Sequence, residues 1–252
     1  VRHCFDENIP FMVMGRGSNL LVRDGGIPGV VAHLTKGEFA RHEVHGCEIT
    51  AGVGLKLKQL SAIAQKAGIG GFEWMEGIPG NLGGSLRMNA GAMGVQTFEQ
   101  VVRVRYCDQD GNIFTRTPAE MEVRYRDVPT LRMNYALSAA LRGEPAGAEH
   151  IAAKLGDSER KRRESQPIAA SAGCIFKNPA EIPAGKLIEE LGFKNFAVGR
   201  ARVSEVHGNF IVNDGGATAE EILTLIEEIQ AAAARERGIN LETEVQIVGV
   251  DA

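Results

Sequence analysis

Apolar positions along this chain change their period several times, and each change predicts a different element. In "FMVMGRGSNLLVRDGG", residues 11–26, four apolar residues run into a glycine turn, then a second apolar run and another turn. That pattern predicts two short strands. From Val30 to Val53 the alternation has the strand period of two, with a hairpin turn at His45-Gly46. "LKLKQLSAIAQKAG" instead places Leu57, Leu60, Ile63, Ala64 and Ala67 on one helical face and ends at Gly68, a residue suited to helix C-termini. "VVRVRYCDQDGNIFTRT" predicts a hairpin turning at Asp110-Gly111.

The second half is more helical. "IAAKLGDSERKRRESQP" and "AGKLIEELG" predict helices, and "TAEEILTLIEEIQAAAARERG" predicts the strongest one. There Thr218 and Glu221 have capping-box spacing, and Ile222, Leu225, Ile226 and Ile229 form an apolar stripe. "LETEVQIVGV" reads as a closing strand. The loop "RGEPAGAEH", residues 142–150, is the predicted boundary between two α+β domains, 1–148 and 149–252.

Composition narrows the function classes. The 28 basic and 32 acidic residues of this 252-residue chain give a net charge of -4, which argues against general attraction to nucleic acid or anionic membrane. No apolar run reaches bilayer-spanning length. The four cysteines, at 4, 47, 107 and 174, form no C-x-x-C pair, so a reducing, cytoplasmic setting is expected rather than a disulfide scaffold or zinc ribbon. "HEVHGC" is not expected to hold a metal, because strand residues 42 and 45 point to opposite faces. The opening "VRHCFDENIPFMVMG" lacks an initiating Met and starts inside an element already under way. A missing N-terminal portion is expected.

Several stretches carry candidate chemistry. "GRGSN", residues 15–19, is either an ordinary glycine turn or a loop whose backbone N–H groups surround a phosphate. The second glycine-rich run, "GIPGNLGGSLRMNAGAMG" at 77–94, favours the phosphate reading, since such glycine density marks tight turns or close approach of a ligand to the main chain. "VRYRD" holds Arg126, either a surface charge or a two-point clamp for a carboxylate. Glu242 and Glu244 share a face and read, by composition, as solvent-facing. Lys161, Arg162 and Arg163 read either as a solvated helix end or as basic groups near an anionic substrate, the first being favoured. In "SAGCIFKNP", Cys174 is either a packing residue or a proton donor held at a backbone turn.

Taken in order, "GRGSNLLVRDGG", "EGIPGNLGGSLRMNAGAMG", Tyr125-Arg126, "SAGCIFKNP" and "LETEV" resemble the UDP-N-acetylenolpyruvoylglucosamine reductase (MurB) family from about Ile9 to Gly249. The resemblance implies an FAD-binding domain of the vanillyl-alcohol-oxidase (PCMH) type, followed by a smaller α+β substrate-binding domain. It implies NADPH as reductant and UDP-N-acetylglucosamine enolpyruvate as substrate, with hydride from the flavin N5 to C3 and a proton to C2. By this resemblance Cys174 is the proton donor, where the family more often has serine. A thiol with a reference pKa of about 8.5 is the stronger acid and stays mostly protonated at neutral pH.

Arg126 matches the family's catalytic arginine and Glu244 its catalytic glutamate. The resemblance implies that both stabilise the enolate-like charge that develops on the substrate carboxylate. Burial among Val245 and Ile247 would raise the Glu244 pKa and let it donate a hydrogen bond. FAD contacts carried over are Gly15, Gly17, Ser18, Asn19, Gly77, Ile78, Pro79, Gly80, Gly83, Gly84 and Asn89; substrate contacts are Tyr125, Lys177, Asn178 and His207. The chain departs from the family in lacking the segment that precedes Ile9, in carrying Arg16 in the first loop, and in lacking the capping-tyrosine insertion of one subclass. It therefore resembles the shorter subclass. The rival expectations are another FAD-linked oxidase of the same fold and a flavin-free nucleotide-sugar binding module.

Overall fold

The computed structural model describes residues 1–252. The chain forms two compact units, residues 1–16 with 29–161, and residues 17–28 with 162–252. In the chain, this division falls between Lys161 and Arg162, inside the uninterrupted helix Ala148–Ser165. Residues 17–28 join the later unit because Leu20–Val22 pairs in parallel with Gln246–Val248. A pairing across more than 200 residues leaves no local trace in sequence.

The first unit is built on a five-stranded antiparallel sheet. Its spatial order is Ile113–Arg116, Val101–Cys107, Tyr135–Arg142, Glu48–Gly52 and His42–His45. Both expected hairpins are present, and Gly46 and Gly111 take the left-handed φ values of 58° and 78° that tight turns require. A separate parallel pair joins Phe11–Met14 to Val30–His33. Helix Leu57–Lys66 buries Leu57, Leu60 and Ala64 against a core that includes Ile49, Phe72, Met75, Leu82, Val104 and Leu141. Ile63 is half-buried, and Ala67, expected on the same face, is exposed. The helix ends at Lys66, so Ala67 is its cap and leads into Gly68 at φ 66°.

In the second unit, Ser171–Cys174, Phe210–Asn213, Ala201–Val203 and Ala197–Val198 form an antiparallel sheet in that order. Helix Ala219–Arg237 packs Leu225, Ile226 and Ile229 into its core, with Ile222 half-buried. Each buried side chain of this kind contributes about 1.5–3 kcal/mol relative to exposure. The capping box forms as expected: Thr218 Oγ1 accepts from the Glu221 N–H at 3.1 Å, and Glu221 Oε2 accepts from the Thr218 N–H at 3.2 Å. Asp24 adds a second carboxylate there, accepting from the Ala219 and Glu220 N–H groups at 2.8 and 3.1 Å. Negative charge at that helix end is favoured by the helix dipole. Of the closing segment, Gln246–Val248 is strand, while Thr243 bridges Phe176. No helix is long and apolar enough to cross a membrane.

Candidate active site

The glycines expected to approach a cofactor divide by what surrounds them. A Cβ at Gly15 would lie 2.9 Å from Asn81 Oδ1, and one at Gly83 would lie 3.0 Å from Val53 Cβ. These two positions need glycine for protein packing. A Cβ at Gly84 would meet nothing within 4 Å, so the exposed side of helix Leu82–Arg87 presents bare backbone. Gly77 at φ 74°, with Ile78, Pro79 and Gly80, forms a rim that is exposed to half-exposed. Asn81 Oδ1 is buried without a hydrogen-bond partner, while its Nδ2 donates to the Gly54 carbonyl at 2.5 Å. Backbone bare of side chains beside an unsatisfied acceptor fits a flavin nucleotide, which brings both phosphate and hydroxyl groups.

The first loop continues into the second unit. Gly17 takes φ 69°, and its carbonyl accepts from the Leu20 N–H at 3.2 Å, closing a tight turn around Ser18 and Asn19. Asn19 is committed to the protein: its Nδ2 donates to the Glu244 carbonyl at 3.0 Å, and its own carbonyl accepts from the Gln246 N–H at 2.9 Å.

Arg126 belongs to the first unit and sits in a reverse turn. Arg124 and Asp127 exchange main-chain hydrogen bonds at 2.9 and 3.4 Å, and Arg126 itself takes φ 56°. A non-glycine residue in the left-handed region costs about 1–2 kcal/mol, so surrounding contacts must hold it. Its Nη1 donates to the Asn89 carbonyl at 3.2 Å and its Nη2 to the Gly91 carbonyl at 3.1 Å. The guanidinium also lies over the Tyr125 ring, 4.8 Å from its centre. Tyr125 is exposed.

Cys174 and Glu244 both belong to the second unit, and the segment after Cys174 pairs with the one that carries Glu244. Strand Ser171–Cys174 pairs with Phe210–Asn213 through a bulge between Ser171 and Cys174, where Gly173 takes φ 80°. The expected turn before Cys174 is therefore a β-bulge, a device that redirects a side chain within a sheet. Immediately after it, the Ile175 carbonyl accepts from the Glu244 N–H at 2.7 Å, and the Lys177 N–H donates to the Glu242 carbonyl at 2.9 Å. The two segments thus run antiparallel side by side. Both Cys174 and Glu244 are half-buried, so Glu244 is not the solvent-facing glutamate its composition suggested, whereas Glu242 is exposed. Asn209 holds this corner, its Oδ1 accepting from the Phe176 N–H at 2.9 Å and its Nδ2 donating to the Phe176 carbonyl at 2.8 Å.

The substrate candidates of the second unit have protein partners. Lys177 Nζ lies 3.1 Å from Glu242 Oε2, and Asn178 Oδ1 accepts from the Ala184 N–H at 3.0 Å, capping helix Ala184–Glu190. His207 Nδ1 accepts from the Asn209 N–H at 3.1 Å, which leaves the proton of a neutral ring on Nε2. Burial pushes the His207 pKa down, with Glu189 opposing the shift. Arg162, expected at a solvated helix end, is half-buried and donates through Nη2 to Gln166 Oε1 at 2.7 Å. Burial lowers its pKa, and the charge of Cys174 opposes that shift, so the two groups are electrostatic neighbours. Sequence reasoning missed this, and it missed Asn81 and Asn209. The signal for Arg162 was its place in "KRRESQP", where one basic residue in three is half-buried.

Residues 1–117 match the family described as "FAD binding domain", and residues 166–248 match "UDP-N-acetylenolpyruvoylglucosamine reductase, C-terminal domain". The UDP-N-acetylenolpyruvoylglucosamine reductase of Anoxybacillus flavithermus is 42% identical over 245 residues, covering 96% of this chain and 81% of that protein. That of Clostridioides difficile is 42% identical over 248 residues, covering 98% and 81%. The crystal structure of the Thermus caldophilus reductase (MurB) superimposes with a TM-score of 0.85 at 34% identity, covering 98% of this chain and 90% of that one. At these identities and coverages, the chain belongs to the UDP-N-acetylenolpyruvoylglucosamine reductase family.

Proposed function

We propose that this chain reduces the enolpyruvyl ether of a UDP-N-acetylglucosamine derivative to the lactyl ether in peptidoglycan precursor synthesis, in the cytoplasm, with NADPH as reductant. The observation that supports this most directly is the antiparallel pairing of residues 175–177, which follow Cys174, with residues 242–244, which end in Glu244. A proton donor and a carboxyl group carried on neighbouring segments of one unit suit addition across a carbon–carbon double bond conjugated to a carboxylate. FAD, when bound, supplies the hydride that reaches C3. The residues of the first unit fitted to hold it are the outward-facing glycine rim at Gly77–Gly80 and Gly84.

The remaining chemistry belongs to side chains. As hydride adds at C3, electron density moves toward C2 and the carboxylate. Cys174 Sγ gives its proton to C2, completing the saturated lactyl group. Arg126 offsets the negative charge that grows on the carboxylate, and Glu244 carries a hydrogen bond to the same group. Because that charge is larger in the transition state than in the bound substrate, these contacts accelerate the step and do not merely tighten binding. NADPH and the sugar nucleotide act in turn, so ping-pong kinetics follow.

Anaerobic flavin absorbance of the purified holoprotein tests the reading. Bleaching on addition of NADPH, followed by recovery on addition of UDP-N-acetylglucosamine enolpyruvate, supports it. Bleaching without recovery assigns a different oxidant substrate on the same fold, and recovery by oxygen alone points to an oxidase. A protein that binds the UDP-sugar without flavin is a binding module.

A further inference from the structure

Asn89 lies in the second glycine-rich run, where the family resemblance suggests a flavin contact, yet its side chain is buried and spent on the protein. It is 4% exposed and takes φ 43°. Its Nδ2 donates to the Arg124 carbonyl and to Gln96 Oε1, both at 3.1 Å, and its Oδ1 accepts from the Phe98 N–H at 3.1 Å. Both amide protons and one oxygen lone pair are thereby used.

Its main-chain carbonyl accepts from Arg126 Nη1 at 3.2 Å. Asn89 therefore grips the turn at 124–127 at two points, through the Arg124 carbonyl at its start and through the guanidinium of Arg126. We propose that Asn89 is a positioning residue that holds Arg126 in its strained turn, and not a flavin ligand. This rests on the role given to Arg126 above.

The chemistry of the position explains the residue type. Asparagine tolerates the left-handed backbone better than other side chains. Aspartate has the same shape but would lose both donors and set a carboxylate against the Arg124 carbonyl and Gln96 Oε1. Glycine keeps the backbone conformation and the carbonyl that accepts from Arg126, and removes the side-chain grip on the Arg124 carbonyl. With the grip gone, Arg126 has less to offset its unfavourable φ, and the guanidinium is held less firmly.

The test is a double-mutant cycle on the holoenzyme, with Asn89→Gly, Arg126→Ala and the double variant. The readouts are the rate of flavin reoxidation at saturating UDP-N-acetylglucosamine enolpyruvate, the apparent Kd of that substrate, and the Kd for FAD. Arg126→Ala is expected to slow reoxidation by about 100-fold or more, and Asn89→Gly by about 10- to 100-fold, with FAD affinity within about 3-fold of the parent. If Asn89 acts through Arg126, the double variant is no more than about 3-fold slower than Arg126→Ala alone.

Multiplicative effects, or a loss in Asn89→Gly explained by weaker FAD binding, would overturn the inference while leaving the role of Arg126 intact. Unchanged reoxidation in Arg126→Ala would instead remove that role, and the inference with it. Gln96→Ala, which removes a single acceptor from Asn89, is the milder variant should Asn89→Gly fail to fold. It is expected to slow reoxidation by about 2- to 5-fold in the parent and to have no further effect when Arg126 is alanine; an equal effect in both backgrounds counts against the inference.

Discussion

The segments carrying Arg126 and Cys174 solve the same problem in opposite ways. Both place a candidate functional residue at or beside a left-handed backbone position. At Cys174 the left-handed residue is the preceding Gly173, at φ 80°, which takes that conformation without a Cβ penalty. At Arg126 the functional residue itself takes φ 56°, with Asn89 at 43° and Met93 at 56° nearby. The first arrangement is relaxed and depends on one missing side chain. The second is strained and depends on a network of hydrogen bonds to keep it. Mutation should therefore damage the Cys174 region when it adds atoms, and the Arg126 region when it removes them.

Four variants sharpen that contrast. The largest effect is expected for Cys174→Ala, which should slow recovery of flavin absorbance with the enolpyruvyl substrate by about 10²- to 10⁴-fold, while Cys174→Ser retains activity. Equal rates of product formation in Cys174→Ala and the parent would remove Cys174 from the mechanism. Asn209→Ala comes next: it leaves the buried Phe176 main chain without two partners and should cost about 2–4 kcal/mol in urea unfolding. A loss below about 0.5 kcal/mol would show that this corner is not held by Asn209.

Gly173→Ala tests the relaxed arrangement. Alanine at φ 80° should cost about 1–2 kcal/mol, with activity falling further than that loss explains, because the bulge aims Cys174. Retained activity with reduced stability would separate the bulge from the chemistry. The smallest effect belongs to His207. Its folded-state pKa lies below its ordinary value of 6.5 because it is buried, so its contribution to stability is full above that value and is lost as pH falls through the folded value. Between about pH 7.5 and about pH 5.5, His207→Gln should lose less stability than the parent; parallel curves would exclude the effect.

Much of the secondary structure was legible because it rests on local rules. The Thr218–Glu221 capping box, the stripe through Leu225, Ile226 and Ile229, and the turns at Gly46 and Gly111 each involve residues within a few positions of one another. The ordered motifs of the family likewise survive as linear strings, which is why Cys174 could be singled out before its surroundings were known. Arg162 was misread because a helix in isolation gives no sign of which side meets the sheet. Ala67 was misread because the helical face was extended one residue beyond the point where the backbone leaves the helix.

What each asparagine does was not legible. Asn19 and Asn89 stand in glycine-rich loops whose composition suggests a ligand, but their amides are committed to the Glu244 and Arg124 carbonyls, 225 and 35 residues away. The sequence by itself determined the helices, the hairpins and the two glycine loops, since these follow from spacing and residue type. The tertiary structure alone decided that residues 17–28 pack with the second unit, that the segments following Cys174 and carrying Glu244 pair, and that Asn19, Asn89 and Asn209 spend their amides on main-chain groups. Those outcomes depend on hydrogen bonds between distant parts of the chain, whose partners are fixed only when the backbone has folded.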